Sequence, residues 1–234
     1  MTQPAPGTPD AKPKAPDKEL KEVLLAFLAI GVGVALTAAI MPAFLQEYAY
    51  SILLAAMVYA PWLRIEKRRG NFADYGLHLK TWKKDILVAL FWMAVIFPLF
   101  ILGNHVWQSL IFHKSVAFRL PEKSLLLTFL EQTFVIALCE EIFYRGWMQT
   151  VFTGRWPAKT RILGGDFGAA LFATSALFAL GHLASIPSPA RLAVFFPSLW
   201  FGWLRSRTGS IIAPMLAHGA SNTLMAFLVA CYNR

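Results

Sequence analysis

Seven apolar stretches run along the chain, over residues 23–44, 48–63, 86–103, 125–144 or beyond, 167–184, 192–204 and 211–232. A helix needs ~20 predominantly apolar residues to cross a bilayer. The pattern therefore predicts an all-α, polytopic integral membrane bundle of about seven transmembrane helices. The second and sixth stretches are short, which leaves their ends open. Gly31, Gly33 and the alanines of the first stretch would let a neighbouring helix approach closely. No internal repeat is evident, which counts against the inverted-repeat plan of many transporters. Ahead of the first stretch, residues 1–21 are polar and carry Pro4, Pro6, Pro9, Pro13 and Pro16. They read as a disordered cytoplasmic tail, too long to be the leading part of a signal peptide.

Composition excludes an ordinary soluble domain. The chain is 57% hydrophobic with a mean hydropathy of +0.52 and only 15% charged residues, more apolar side chain than a single core can bury. Its net charge of +9 reads mostly as a topology signal. With the N-terminus inside, the inner segments hold 17 of the 22 basic residues, Arg145 among them, and leave Lys114, Arg119, Lys123, Arg191 and Arg234 outside. The expected location is the bacterial inner (plasma) membrane, as a multi-pass protein with a cytoplasmic N-terminus and the lipid bilayer as partner. Basic residues dispersed over loops, with no recognition module, exclude a nucleic-acid partner. Cys139 and Cys231 lie in apolar stretches without a paired spacing and read as small core residues.

Against this background the sequence Glu140-Glu141-Ile142-Phe143-Tyr144-Arg145 stands out, because ionisable residues inside a membrane segment are costly unless they pair or line a wet cavity. Glu141 and Arg145 are four residues apart, so they share a helix face in the order that favours an ion pair. Glu140 points about 100° away, toward the side of Thr133, Ile136 and Tyr144, and has no cation at i+4. A carboxylate without a cation in a partly dehydrated pocket suits a general base that activates water. The blander reading is that both glutamates balance Arg145 at a membrane edge.

Two further apolar stretches carry His182 and His218, the latter with Asn222 one turn on. Gly181 would leave room beside His182 for another helix or a substrate. A single histidine in an apolar helix is more often a satisfied core residue. Two histidines, an asparagine and two glutamates over three spans point instead to hydrolysis: imidazole and amide donors for an oxyanion, Glu140 for the water. Two histidines and one glutamate could equally be zinc ligands, with the other glutamate as base. The compact H-E-x-x-H arrangement is absent, and this lowers the metal reading.

The ordered series E-E-x-x-x-R, F-x-x-x-H, H-x-x-x-N, here Glu140, Glu141 and Arg145, then Phe178 and His182, then His218 and Asn222, resembles the CAAX protease and bacteriocin-processing family, also called the Abi family. The stretch from Phe195 through Gly202, Gly209, Pro214 and His218 resembles it as well. The resemblance implies an intramembrane endopeptidase acting on a membrane-anchored or lipidated protein near its C-terminus. It implies Glu140 as the water-activating residue, His182 as its assistant, His218 and Asn222 as the oxyanion pair, and Glu141 and Arg145 as supports. It implies no cofactor, with zinc as the alternative. It divides the chain into the tail, N-terminal transmembrane helices over residues 22–120 and a catalytic core over 121–234. The rival readings are a non-catalytic immunity or partner protein and, less well supported, a proton-coupled transporter.

One distance conflicts with convergence of these residues. If the fourth span runs inward from Leu125, Glu140 lies ~23 Å down it, whereas His182 lies ~23 Å up a fifth span that starts at Phe167. Either the fourth helix continues to about Phe152, or the fifth begins near Leu171 with Gly164-Gly165-Asp166 dipping inward.

Overall fold

The computed structural model describes residues 17–185 and 187–232. Among them seven helices follow one another: α1 (Asp17–Ile40), α2 (Ala43–Lys67), α3 (Trp82–Ile111), α4 (residues 125–155), α5 (Ala169–Ser185), α6 (Phe195–Thr208) and α7 (Ile212–Tyr232). Of these, α1, α2, α3 and α7 are both long and apolar enough to cross a membrane. The 17 residues of α5 and 14 of α6 fall short of that length. Leu25, Leu28 and Leu36 of α1, Ile52 and Leu63 of α2, and Leu87, Leu90 and Leu99 of α3 are all exposed. So large an uncovered apolar surface requires lipid. The chain is an integral membrane protein.

The ends differ from the sequence expectation in ways the local chemistry explains. Of the tail expected over 1–21, residues 1–16 lie outside the described residues. Asp17–Lys21 are not tail but the first turn of α1, where Asp17 and Glu19 favour the positive end of the helix dipole. A tyrosine and two arginines fasten this turn: Arg68 meets Glu19 at 3.2 Å and Glu22 at 2.8 Å, Arg64 meets Glu22 at 3.2 Å, and Tyr75 donates to Glu19 at 3.0 Å. Burial and the neighbouring Glu19 carboxylate push the Tyr75 phenol up to about 12. Between α4 and α5 a small antiparallel hairpin, β1 (Thr160–Ile162) and β2 (Gly165–Phe167), departs from a purely helical reading. Leu163 and Gly164 take positive φ at its tip, as a two-residue hairpin turn requires. The Gly164-Gly165-Asp166 segment therefore turns rather than dips.

α4 is the axis of the fold and removes the distance conflict. It does not stop near Tyr144 but runs on to Arg155, which puts Glu140 at its midpoint, ~22 Å from either end. His182, thirteen residues into α5, lies ~20 Å along that helix and so at a similar depth. Arg145 consequently is not in an inner loop but fully buried. Beyond it, Phe143, Tyr144, Trp147, Met148, Val151 and Phe152 pack against Val23 and Ile30 of α1 and Ala170 and Phe178 of α5. On the other side Ala89, Phe201, Leu204, Ala213 and Ala217 join α3, α6 and α7.

The tightest helix contact lies beside His218. A Cβ placed on Gly219 of α7 would come within 2.7 Å of the Thr133 Cα of α4, so the two backbones touch there. In α1, Gly33 does receive a neighbour, Leu53 of α2 at 2.8 Å from such a Cβ, whereas Gly31 faces open space. Gly219→Ala should therefore lower the thermal midpoint and folded yield in detergent, at a cost of about 1–3 kcal/mol from overpacking. Gly31→Ala should leave both unchanged; equal behaviour of the two variants would contradict the α4–α7 contact.

Candidate active site

The helix that carries the glutamates is wound unevenly around them. Residues 132–137 and 142–148 of α4 form wide π-helical turns, and only Leu138–Glu141 between them is α-helical. Such turns are rare and concentrate at functional sites. Here they leave Glu141 and Arg145 facing each other at 3.0 Å with both side chains fully buried. The same oxygen, Oε1 of Glu141, accepts a hydrogen bond from His218 Nδ1 of α7 at 2.9 Å. Arg145 Nη2 donates to Ser198 of α6, to Oγ at 2.8 Å and to the carbonyl at 3.2 Å.

Aromatic rings complete the cage. The guanidinium lies over Phe178 at 4.4 Å and over Phe201 at 5.5 Å. His218 stacks on Phe201 with centroids 4.8 Å apart and planes 20° from parallel. Burying two charges costs several kcal/mol per ion unless good geometry and further hydrogen bonds offset it. Glu141, Arg145, His218, Ser198 and the two rings supply that compensation from four helices.

Glu140 is placed differently. Its Oε2 stands 3.7 Å from His218 Nε2, beyond a direct hydrogen bond, and its side chain is 14% exposed, against none for Glu141. Oε2 has no hydrogen-bond partner among the described residues, and neither has Glu141 Oε2, Arg145 Nε or Thr133 Oγ1 nearby. Polar atoms of this kind retain the capacity to bind a water or a peptide group. With Nδ1–H given to Glu141, the His218 ring turns Nε2 to the Glu140 side.

The remaining sequence candidates are adjacent rather than joined. His182 donates from Nδ1 to the Phe178 carbonyl at 2.9 Å, and its ring packs 4.4 Å from the Phe178 ring. That ring in turn lies 5.7 Å from His218, so Phe178 separates the two imidazoles. The room beside Gly181 is taken, since a Cβ there would meet the Tyr144 hydroxyl at 2.6 Å and Phe27 at 3.5 Å. Asn222 gives one Nδ2 hydrogen to Gln132 Oε1 at 2.9 Å, one turn beyond His218 on α7. Among the described residues no group of three His, Cys, Asp or Glu side chains is placed to hold a metal ion. The sequence reading missed Gln132, Ser198 and Phe201. Gln132 was the findable one, a lone amide in an apolar stretch eight residues before Glu140.

The fold and this cluster define a membrane protein with a paired carboxylate and imidazole site enclosed between helices. Residues 122–224, which include every residue of the cluster, match the family model described as type II CAAX prenyl endopeptidase Rce1-like. Over that part the chain is similar to the CAAX prenyl endopeptidases, a family of proteases. No curated protein and no solved structure matches the chain significantly.

Removing one partner of the buried ion pair strands the other charge. Glu141→Ala and Arg145→Ala should each destabilise the protein by about 3–5 kcal/mol, read as lost folded yield and a lowered unfolding midpoint in detergent. Glu140→Gln nearly preserves shape and touches no cation directly, so it should cost under about 1 kcal/mol. Equal losses for all three would contradict the division between a structural and a free carboxylate.

Proposed function

We propose that the protein is an intramembrane endopeptidase of the glutamate type, which hydrolyses a peptide bond near the C-terminus of a membrane-anchored or lipidated protein. The observation that carries this reading is the unequal pair: Glu141 is bound to Arg145 and His218, while the Glu140 carboxyl has an unpartnered oxygen 3.7 Å from His218 Nε2. Glu140 takes a proton from a water molecule as its oxygen attacks the substrate carbonyl carbon. The proton is shared with His218 Nε2, which then donates to the oxyanion of the tetrahedral intermediate. The Asn222 Nδ2 hydrogen not given to Gln132 is the second donor. Collapse of the intermediate breaks the C–N bond, and the same proton leaves on the amine. His182, with Nδ1–H on the Phe178 carbonyl, offers Nε2 as an acceptor that orients the water.

Gln132 then has a definite part. By accepting one Asn222 hydrogen it fixes the amide plane, so that the other hydrogen keeps one direction. Membrane insertion is expected to leave the N-terminus cytoplasmic, as the basic loops direct.

Cleavage by the purified full chain in lipid, measured on a panel of membrane-anchored C-terminal peptides, tests the reading. Glu140→Gln should reduce turnover by about 10²–10⁴-fold with normal insertion, and Asn222→Ala by about 10²–10³-fold, while a strong chelator should leave the wild type active. Activity lost on chelation and restored by zinc would replace the glutamate mechanism with a metal-dependent one. Full activity of Glu140→Gln would refute the base assignment, and a biological effect retained by that variant would favour a binding role.

A further inference from the structure

We propose that the basic end of the α1–α2 pair is a binding site for the phosphate headgroup of an anionic phospholipid, remote from the catalytic cluster and independent of the peptidase reading. A cavity of about 400 Å³ opens there between the first turn of α1 and the last turn of α2, lined by Lys18, Glu22, Arg64, Lys67 and Arg68. Four cations thus face one carboxylate. Arg64, Lys67 and Arg68 stand at i, i+3 and i+4, on one face of α2, and Lys18 and Glu22 at i and i+4 on the facing side of α1.

The cations fall into two kinds. Arg64 and Arg68 are held in place by Glu22 and Glu19, with Arg68 bonded to both carboxylates. Lys18 and Lys67 have no carboxylate within 4 Å among the described residues. Glu66, the carboxylate next to Lys67 in sequence, accepts instead from Trp62 Nε1 at 3.1 Å. The guanidinium groups are therefore ordered before a ligand arrives, which lowers the entropy lost on binding. The two ammonium groups keep their donors for it. The general retention of positive loops on one side of the membrane accounts for basic residues at this end of the helices. It does not account for a concavity in which two arginines are fixed and two lysines are free.

The surroundings select a lipid over a free ion. Directly along the helices from the cavity lie the exposed Leu25 and Leu28 of α1 and Tyr59, Trp62 and Leu63 of α2. A headgroup phosphate among the four cations would lay its acyl chains on these side chains. Trp62 and Tyr59 are the amphipathic rings expected at headgroup level.

The test is retention of lipid by the purified full chain, passed through vesicles of phosphatidylcholine with or without phosphatidylglycerol and read by native mass spectrometry. Wild type should retain phosphatidylglycerol selectively, and Lys18→Gln/Lys67→Gln should retain it at least about fivefold less. Lys83→Gln/Lys84→Gln, which removes the same charge from the first turn of α3 outside the cavity, should behave as wild type. Matched unfolding midpoints establish that all three are folded. Equal retention by both double variants would overturn the site. Displacement of the lipid by millimolar inorganic phosphate at constant ionic strength would make it a site for the free ion and overturn the lipid assignment.

Discussion

One oxygen atom of Glu141 holds two partners from different parts of the chain, the Arg145 guanidinium at 3.0 Å and His218 Nδ1 at 2.9 Å. This junction ties α4, α6 and α7 together. A buried carboxylate, a buried guanidinium and an imidazole must be brought together at once, because any one left alone carries the full cost of its desolvation. Their meeting fixes α7 against α4, and Arg145 carries the constraint to α6 through Ser198. The contact of Gly219 with Thr133 is its steric counterpart, since a bulkier residue would hold the His218 backbone too far away for the hydrogen bond.

From that junction follows the inequality between neighbouring glutamates. Glu141 is committed on both sides and fully enclosed, so its charge is spent on the scaffold. Glu140, one residue earlier, emerges on the opposite flank of the same imidazole with an oxygen unengaged among the described residues. A single histidine thus stands between a carboxylate bound on both sides and one with an oxygen that has no partner among the described residues. Phe178 and Phe201 keep the arrangement dry by covering the guanidinium and stacking on His218, and electrostatic interactions strengthen where water is excluded.

Much of this was legible in the sequence for a simple reason: charge in an apolar run is expensive, so Glu140, Glu141, Arg145, His182 and His218 marked themselves. The Glu141–Arg145 pair followed from four-residue spacing alone. What escaped was everything that depended on other elements. The two π-helical segments leave no compositional trace, and with them went the second role of Glu141 as partner of His218. Ser198 and Phe201 look like ordinary residues of a short apolar helix until Arg145 and His218 are seen against them. The end of α4 stayed open in the sequence, at Tyr144 or as far as about Phe152; the structure carries the helix to Arg155 with Arg145 buried inside it. The first turn of α1 was hidden similarly, its polar residues resembling tail, although Arg68 and Tyr75 bind Glu19 there.

The protonation pattern of His218 reports on the junction directly, without a substrate. Nitrogen NMR of histidine-labelled protein in lipid, with the His218 signals identified by their loss in His218→Gln, distinguishes a ring protonated at Nδ1 from one protonated only at Nε2. The account predicts a proton on Nδ1 in the wild type, given to Glu141, and its redistribution in Glu141→Gln. A wild-type ring protonated only at Nε2, unchanged by Glu141→Gln, would mean that Glu141 does not hold His218, and the distinction between the bound and the free carboxylate would fail with it.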